Sequence, residues 1–202
     1  MRKTITPSEM KRVETQAMRA GRVTGDALMQ RAAWHVARAV GRGPALCVCG
    51  TGNNGGDGLA AMRLLAQQDP AFWGECWLLP GALSADAARE LERLRTYAPR
   101  VKVRRLEADE PPFPDGTRVA VDAMFGTGLS RPLEGLAREL CVRLNQSGLR
   151  VVAVDIPSGL CGETGRVLGA AVRADETVTF HRPKPSKGRD LSLIHISEPT
   201  RL

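Results

Sequence analysis

The 202-residue sequence lacks long apolar segments and has few aromatic residues. No apolar run approaches the about 18 residues that cross a bilayer, so we expect no membrane partner. The first seven residues contain no apolar segment, which argues against a secretory signal peptide. The eight aromatic residues are absent from the densest basic stretch, residues 100–105, where a nucleic-acid surface would use them for base stacking.

The sequence also lacks zinc-type spacing among its five Cys and three His. An odd number of irregularly spaced cysteines without an export signal predicts reduced thiols and a cytoplasmic location. Cys47 and Cys49 lie in one short apolar segment. We expect their thiols to point to opposite faces of a strand and to be structural rather than a redox pair.

Positive charge exceeds negative charge, with 29 Lys and Arg against 22 Asp and Glu, for a formal net charge of +7. The basic residues are mixed with acidic ones in helical segments, which favours a solvated surface over a nucleic-acid interface. We therefore expect no nucleic-acid partner. A net positive surface can still attract a phosphorylated small molecule.

Apolar segments typical of strands alternate along the chain with segments of helical period. Helices are predicted near residues 6–21, 26–40, 59–68, 84–97 and 132–145. Strands are predicted near residues 45–49, 76–79, 101–104, 119–122, 151–155 and 177–180. This order indicates βαβ units and an α/β fold, with a parallel sheet covered on both faces and two additional N-terminal helices.

Three polar loops follow predicted strands at their carboxyl ends, where open parallel sheets bind ligands. Residues 50–58 are rich in glycine and formally fit the dinucleotide fingerprint Gly-x-Gly-x-x-Gly. Residues 122–132 begin with a carboxylate and continue through a Gly/Thr/Ser loop to Arg131, and the third loop carries Asp155 and Ser158. Each loop alone can be a tight turn or a helix cap, but three at one sheet edge predict a ligand site.

The first loop differs from ordinary nucleotide sites. It has no Walker lysine, and no acid ends the second strand to bind a ribose, so an NAD-dependent dehydrogenase is the less favoured alternative. Neighbouring strand ends would bring Asn54, Asp122 and Ser158 together. Their oxygen atoms suit a hard cation rather than zinc.

In combination these motifs resemble the YjeF N-terminal domain family, the NAD(P)H-hydrate epimerases. The similarity lies in residues 49–58, 121–128 and 155–159, with support from 28–32 and 174–180, and it extends over about residues 6–184. It implies a Rossmann-like three-layer αβα sandwich with a mainly parallel central sheet, and a homodimer. It also implies interconversion of the R and S forms of NADH and NADPH hydrated at C6 of the nicotinamide ring, which are substrates rather than cofactors.

The resemblance also implies site residues. Asn54, Asp122 and Ser158 would hold one potassium ion per subunit. Asp155 ends the central strand beside two of the loops, which makes it our candidate catalytic acid or base. The substrate would contact Asn53, Asn54, Gly55, Gly56, Asp57, Gly126, Thr127, Gly128, Leu129, Ser130, Arg131, Pro132 and Asp155. A non-catalytic nucleotide-binding or interaction module of the same fold is the second alternative.

The C-terminal part departs from the family pattern. Lys184 is followed by Pro-Ser where Pro-Gly is usual, which leaves its role open. Residues 191–202 resemble a translated sequencing adapter, so we expect a domain of residues 1–190 and exclude the tail from the fold. An adapter at this place implies that the native chain continues beyond about Asp190. Bacterial relatives often carry a dehydratase domain there that uses ADP or ATP, so we expect that such a domain can be missing from this sequence. An interrupted chain would expose the edge of the last predicted strand.

Overall fold

The computed structural model describes residues 7–21, 23–107 and 111–180, and the backbone of residues 193–196. The helices within these ranges are α1 (Pro7–Arg19), α2 (Gly25–Val40), α3 (Asn53–Gln68), α4 (Ala85–Tyr97) and α5 (Gly135–Gln146). The strands are β1 (Ala45–Cys49), β2 (Gly74–Leu78), β3 (Lys102–Arg105), β4 (Val119–Ala123), β5 (Arg150–Val154), β6 (Glu176–Phe180) and β7 (Leu193–Ile196). None of the described helices is both long enough and apolar enough to cross a membrane.

The strands form one parallel sheet in the order β3-β2-β1-β4-β5-β6-β7. The chain first builds outward from β1 to β3 and then returns to place β4 on the other side of β1. This reversal creates a crevice at the carboxyl ends of β1 and β4, where open α/β sheets bind ligands. The predicted α/β fold with a Rossmann-like sheet is confirmed.

Helices cover both faces of the sheet, and as a result all residues of β1, β2 and β4 are buried. On one face, α2, α3 and α4 contribute Val36, Leu59 and Leu94 to an apolar cluster. On the other face, α5 contributes Leu140, which packs in a cluster with Trp77 of β2. Full burial of each such side chain stabilises the fold by about 2 kcal/mol.

Helix α3 begins at Asn53, whereas the sequence predicted a glycine loop followed by a helix from about residue 59. Gly55, Gly56 and Gly58 lower the helix propensity of this segment, and tertiary packing overrides that preference. A Cβ on Gly56 would lie 2.9 Å from Met29 Cε and 3.2 Å from Ala87 Cα, so the first turn of α3 lies tightly between α2 and α4. The glycines therefore belong to a helix N terminus rather than to a separate loop.

Four residues of the C-terminal segment pair with the edge of the sheet, and the predicted domain bounds of 1–190 stay a prediction. Leu193–Ile196 pairs in parallel with β6, from Thr177 opposite Leu193 to Phe180 opposite Ile196. An uncovered sheet edge presents unpaired backbone groups that an extended segment can pair with, whatever its side chains. Consequently β6 is not the outer strand. The resemblance of residues 191–202 to an adapter stays a prediction, and Lys184 lies outside the described residues.

The expectation that the thiols of Cys47 and Cys49 point to opposite faces is wrong. Their sulfur atoms are 3.4 Å apart, and both side chains belong to the cluster beneath α3. Residues two apart in a pleated strand share a face, because only successive side chains alternate. Both thiols are fully buried and free, as expected for structural cysteines.

Candidate functional site

The predicted site residues meet at the carboxyl ends of β1, β4 and β5. Asp122 lies in β4, directly opposite Val48 of β1 and Ala153 of β5. Asp155 follows the last residue of β5, and Asn54 is the second residue of α3. The parallel sheet thus brings together residues that are distant along the chain.

Asp122 is a fully buried carboxylate that accepts two hydrogen bonds from Ser158. Its Oδ1 accepts a hydrogen bond from the Ser158 hydroxyl at 2.6 Å, and its Oδ2 accepts one from the Ser158 backbone N–H at 2.8 Å. Among the described residues, no cationic side chain forms an ion pair with it. Burial raises the pKa of Asp122 to about 6, although the hydrogen bonds from Ser158 and Met124 act in the opposite direction.

Ser158 also connects Asp122 to the second loop. Its hydroxyl oxygen accepts a hydrogen bond from the Phe125 N–H at 2.9 Å and lies 3.2 Å from the Phe125 carbonyl oxygen. The Asp122 carboxylate, the Ser158 hydroxyl and the Phe125 carbonyl thus form a linked set of oxygen atoms. These are the donor types that hard cations prefer.

Asp155 has a positive φ of 68°, alone among the described non-glycine residues. Its backbone N–H donates to the Val178 carbonyl oxygen at 2.8 Å, and its Oδ2 accepts from the Thr127 N–H at 3.4 Å. A left-handed backbone costs a non-glycine residue on the order of 1 kcal/mol, and such strain is concentrated at functional sites. Here it accompanies a carboxylate held beside the second loop.

Gly126 lies between Asp155 and Asn54. A Cβ at Gly126 would lie 3.0 Å from Asn54 Oδ1 and 3.2 Å from Asp155 Oδ2, so a side chain would push the two apart. The buried Nδ2 of Asn54 has no hydrogen-bond partner among the described residues. A buried polar atom without a partner is typical of a site that a ligand completes.

The other predicted substrate residues divide into two groups. Gly55 and Gly56 are buried in the first turn of α3 and Asp57 is half-buried, which places these three beside Asn54. Gly128, Ser130, Arg131 and Pro132 are exposed, and Leu129 is half-buried against the cluster beneath α5. Within the second loop, Gly126 and Thr127 lie beside the Asp155 carboxylate.

Asn53 has a different environment from Asn54. Its Oδ1 accepts a hydrogen bond from the Ser84 hydroxyl at 2.9 Å, and its Nδ2 lies 3.5 Å from Asp86 Oδ2. Sequence reasoning did not select Ser84, although a serine at the start of a predicted helix with Asp86 two residues later is typical of an N-cap. The fold brings this cap to the glycine-rich turn.

Comparison with known proteins assigns the family. The profile described as YjeF-related protein N-terminus matches residues 25–186. The chain belongs to this family. This YjeF-related domain is 37% identical to an NAD(P)H-hydrate epimerase from Roseobacter litoralis, with 93% of both chains covered. It is 35% identical to one from Weissella koreensis, covering 89% of this chain and 81% of the relative.

A longer relative and a solved structure complete the comparison. The domain is 40% identical to the bifunctional NAD(P)H-hydrate repair enzyme Nnr of Thermofilum pendens, covering 96% of this chain but only 40% of that protein. The crystal structure of yeast ynu0 superimposes with a TM-score of 0.78 over 91% of this chain and 82% of the yeast chain, at 23% identity. The YjeF-related domain therefore shares its fold with the yeast protein.

Proposed function

We propose that this domain is an NAD(P)H-hydrate epimerase, which interconverts the R and S forms of hydrated NADH and NADPH. The activity named for its relatives in Roseobacter litoralis and Weissella koreensis supports this proposal. Within the structure, the observation that carries it is the strained Asp155, whose carboxylate borders Gly126 and Asn54 in the crevice. A positioned acid or base at a ligand-binding edge is what an epimerisation at C6 needs.

The proposed reaction breaks and remakes one C–O bond. Asp155 gives a proton to the C6 hydroxyl, which leaves as water while the ring nitrogen forms an iminium with C6. Water then adds to the opposite face of C6 and returns a proton to Asp155. Atoms and charge balance over this cycle, and no oxidant or reductant is consumed. Ring opening and closure is the other route to the same exchange, and it also needs a proton donor and acceptor at C6.

The N terminus of α3 is suited to the pyrophosphate of such a substrate. The first backbone N–H groups of a helix have no intrahelical partner and lie at the positive end of its dipole. The absence of side chains at Gly55 allows a close approach of backbone to backbone, because a Cβ there would lie 2.0 Å from the Gly50 carbonyl oxygen. The net charge of +7 would favour the approach of the anionic substrate.

We also propose that Asn54, Asp122 and Ser158 hold a potassium ion. The fit rests on a buried carboxylate that no described cation compensates, with the Ser158 hydroxyl and the Phe125 carbonyl beside it. Asn54 adds a further oxygen nearby. Its Oδ1 faces Gly126, the residue that follows Phe125. Bound there, potassium would supply positive charge that neutralises Asp122 and orients its neighbours.

The homodimer, the cytoplasmic location and a dehydratase partner domain remain proposals. Free, buried thiols at Cys47, Cys49 and Cys76 support a reducing compartment. The bifunctional relative in Thermofilum pendens supports the partner domain, because this chain spans only 40% of its length. The homodimer rests on the resemblance to the family.

The decisive experiment supplies R-hydrated NADH and follows the appearance of the S form by chromatography, in potassium chloride and in choline chloride. We expect acceleration by the wild-type protein, greater in potassium. Asp155→Asn should lower kcat by roughly 1,000-fold, within the range for loss of a general acid or base. Asparagine tolerates the left-handed backbone of this position, so the variant should stay folded. Full activity of a folded Asp155→Asn protein would exclude the proposed role.

The matched control is Asp115→Asn, an exposed Asp in a turn, which should retain wild-type activity. A wild-type protein that binds the hydrated nucleotide without accelerating epimerisation would favour the interaction module instead. Hydride transfer to an acceptor would favour the dehydrogenase. Equal rates in potassium and choline would remove the metal proposal while leaving the epimerase proposal intact.

A further inference from the structure

A group of polar contacts, here called the latch, joins the first turn of α3 to the first turn of α4. It consists of Thr51, Asn53, Ser84 and Asp86. The Ser84 hydroxyl donates to Asn53 Oδ1 at 2.9 Å and accepts from the Ala87 N–H at 3.2 Å, so one hydroxyl caps α4 and holds α3. The Ser84 N–H also donates to the Thr51 carbonyl oxygen at 2.7 Å.

We propose that Asn53 and Ser84 are positioning residues that fix the N terminus of α3 for substrate binding, and that the Asn53 side chain does not itself contact the substrate. The inference rests on the proposed epimerase function. Both ends of the Asn53 amide face latch residues, whereas the neighbouring Asn54 has a buried Nδ2 with no described partner. Adjacent helical residues point in directions about 100° apart, so two consecutive asparagines can serve different partners.

The latch acts on the part of the site that would bind phosphate. Thr51 belongs to the glycine-rich segment after β1, and Asn53 opens α3, so both sides of this turn are tied to Ser84. Asp155 lies after β5, on another part of the chain, and is hydrogen-bonded to Thr127 and Val178. Loss of the latch should therefore weaken substrate binding more than it slows the chemical step.

Two substitutions at Ser84 separate capping from the latch. Ser84→Asp keeps an acceptor for the Ala87 N–H, but an ionised carboxylate has no proton to give to Asn53 Oδ1. Rotating the Asn53 amide would not restore the contact, because its oxygen would then face Asp86. Ser84→Thr keeps both the donor and the acceptor. We expect the KM for hydrated NADH to rise about tenfold in Ser84→Asp, with kcat nearly unchanged, and to return towards wild type in Ser84→Thr.

A double-mutant cycle tests whether Asn53 acts through Ser84. If it does, Asn53→Ala, Ser84→Ala and the double variant should all raise KM by a similar factor of about ten, because each removes the same interaction. If Asn53 contacts the substrate independently, the two increases should multiply to about a hundredfold in the double variant. Multiplying effects, or no effect of either single variant, would overturn the proposal.

Thr24→Ala is the matched control for loss of a helix cap. The Thr24 hydroxyl accepts from the Ala27 N–H at 3.1 Å at the start of α2, with no described bond to the glycine-rich turn. This variant should lose stability without a change in KM. An increase in KM equal to that of Ser84→Ala would attribute the effect to capping alone and contradict the latch.

Hydrogen exchange provides a readout that does not depend on epimerase activity. The peptide covering residues 51–58 should exchange faster in Ser84→Asp and Asn53→Ala than in wild type, while Ser84→Thr and Thr24→Ala should exchange as wild type does. An inactive wild-type protein with this exchange pattern would reject the proposed function but keep the latch. Unchanged exchange in Ser84→Asp and Asn53→Ala would reject the latch itself.

Discussion

Glu90 and Asp122 are both buried acids, but the chain surrounds them differently. Glu90, in the helical layer, accepts hydrogen bonds from Gln30 at 2.8 Å and from Arg93 at 2.6 Å, and lies 3.5 Å from Arg63. Asp122 lies near the carboxyl end of β4, and its described hydrogen-bond donors are all N–H and hydroxyl groups. Glu90 is 1% exposed and Asp122 0%, so burial does not distinguish them.

The difference lies in charge compensation. Two arginines of the chain balance Glu90, which connects α4 to Arg63 of α3 and Gln30 of α2 and so has a structural role. No described cation balances Asp122, and its ionised form therefore needs a proton or a cation from solution. A buried acid with its own arginines indicates structure, whereas one without them indicates a binding site.

Glu90→Gln should give the largest effect on stability. The substitution leaves the arginine side chain of Arg63, itself 8% exposed, beside a neutral partner, so the free energy of unfolding should fall by about 3 kcal/mol. Urea denaturation followed by circular dichroism measures the loss. We expect kcat/KM for hydrated NADH to stay unchanged, because Glu90 lies in the helical layer.

Glu92→Gln is the control for this prediction, since Glu92 lies on the same helix and is exposed. It should change the free energy of unfolding by less than about 0.5 kcal/mol. If Glu90→Gln changed the free energy of unfolding as little as Glu92→Gln, the ion pairs of Glu90 with Arg63 and Arg93 would not stabilise the fold. Charge compensation would then not distinguish Glu90 from Asp122.

Asp122 should cause a loss of stability as pH rises, in buffer free of potassium. Its pKa in the folded protein is about 6, above the ordinary value of 3.8, so the folded state binds more protons between these values. The free energy of unfolding should therefore fall from about pH 4 to pH 6, by up to about 3 kcal/mol for two pKa units. Urea denaturation across this pH range measures the slope.

Asp122→Asn cannot titrate at this position, and its profile should lack that part of the decline. The difference between the two profiles isolates Asp122 from the other groups that titrate in the same range. Parallel profiles for wild type and Asp122→Asn would mean that burial does not raise the pKa of Asp122. The lack of a compensating cation would then not make the ionised form of Asp122 unfavourable.

Arg89→Ala should have the smallest effect, because it breaks a surface ion pair. Arg89 Nη1 lies 2.9 Å from Asp86 Oδ1, with 47% and 35% of the two side chains exposed. Water and salt screen such a pair, and the free energy of unfolding should change by at most about 0.5 kcal/mol. Denaturation at low and high salt checks this. A loss as large as that of Glu90→Gln would show that burial does not decide the value of an ion pair here.

Sequence patterns predicted the positions of most elements because apolar periodicity is local. The strand at residues 45–49 and the helix near 84–97 agree with β1 and α4 to within a residue. Residues 53–58 were predicted as a loop because three glycines suggest a turn, and the packing of Gly56 between Met29 and Ala87 is not visible in local sequence. The pairing of Leu193–Ile196 with β6 likewise depends on the sheet edge rather than on the segment itself.

The sequence by itself determined which polar residues stand at the ends of strands. Asp122, Asp155 and Ser158 each follow an apolar run, and parallel strands bring their carboxyl ends to one edge. Only the tertiary structure decided how these residues and their neighbours are partnered. Ser158 reaches Asp122 across 36 residues of sequence, and Gln30 reaches Glu90 across 60. Compensation of a buried charge depends on atoms within a few ångströms, and such distances are fixed by packing rather than by spacing along the chain.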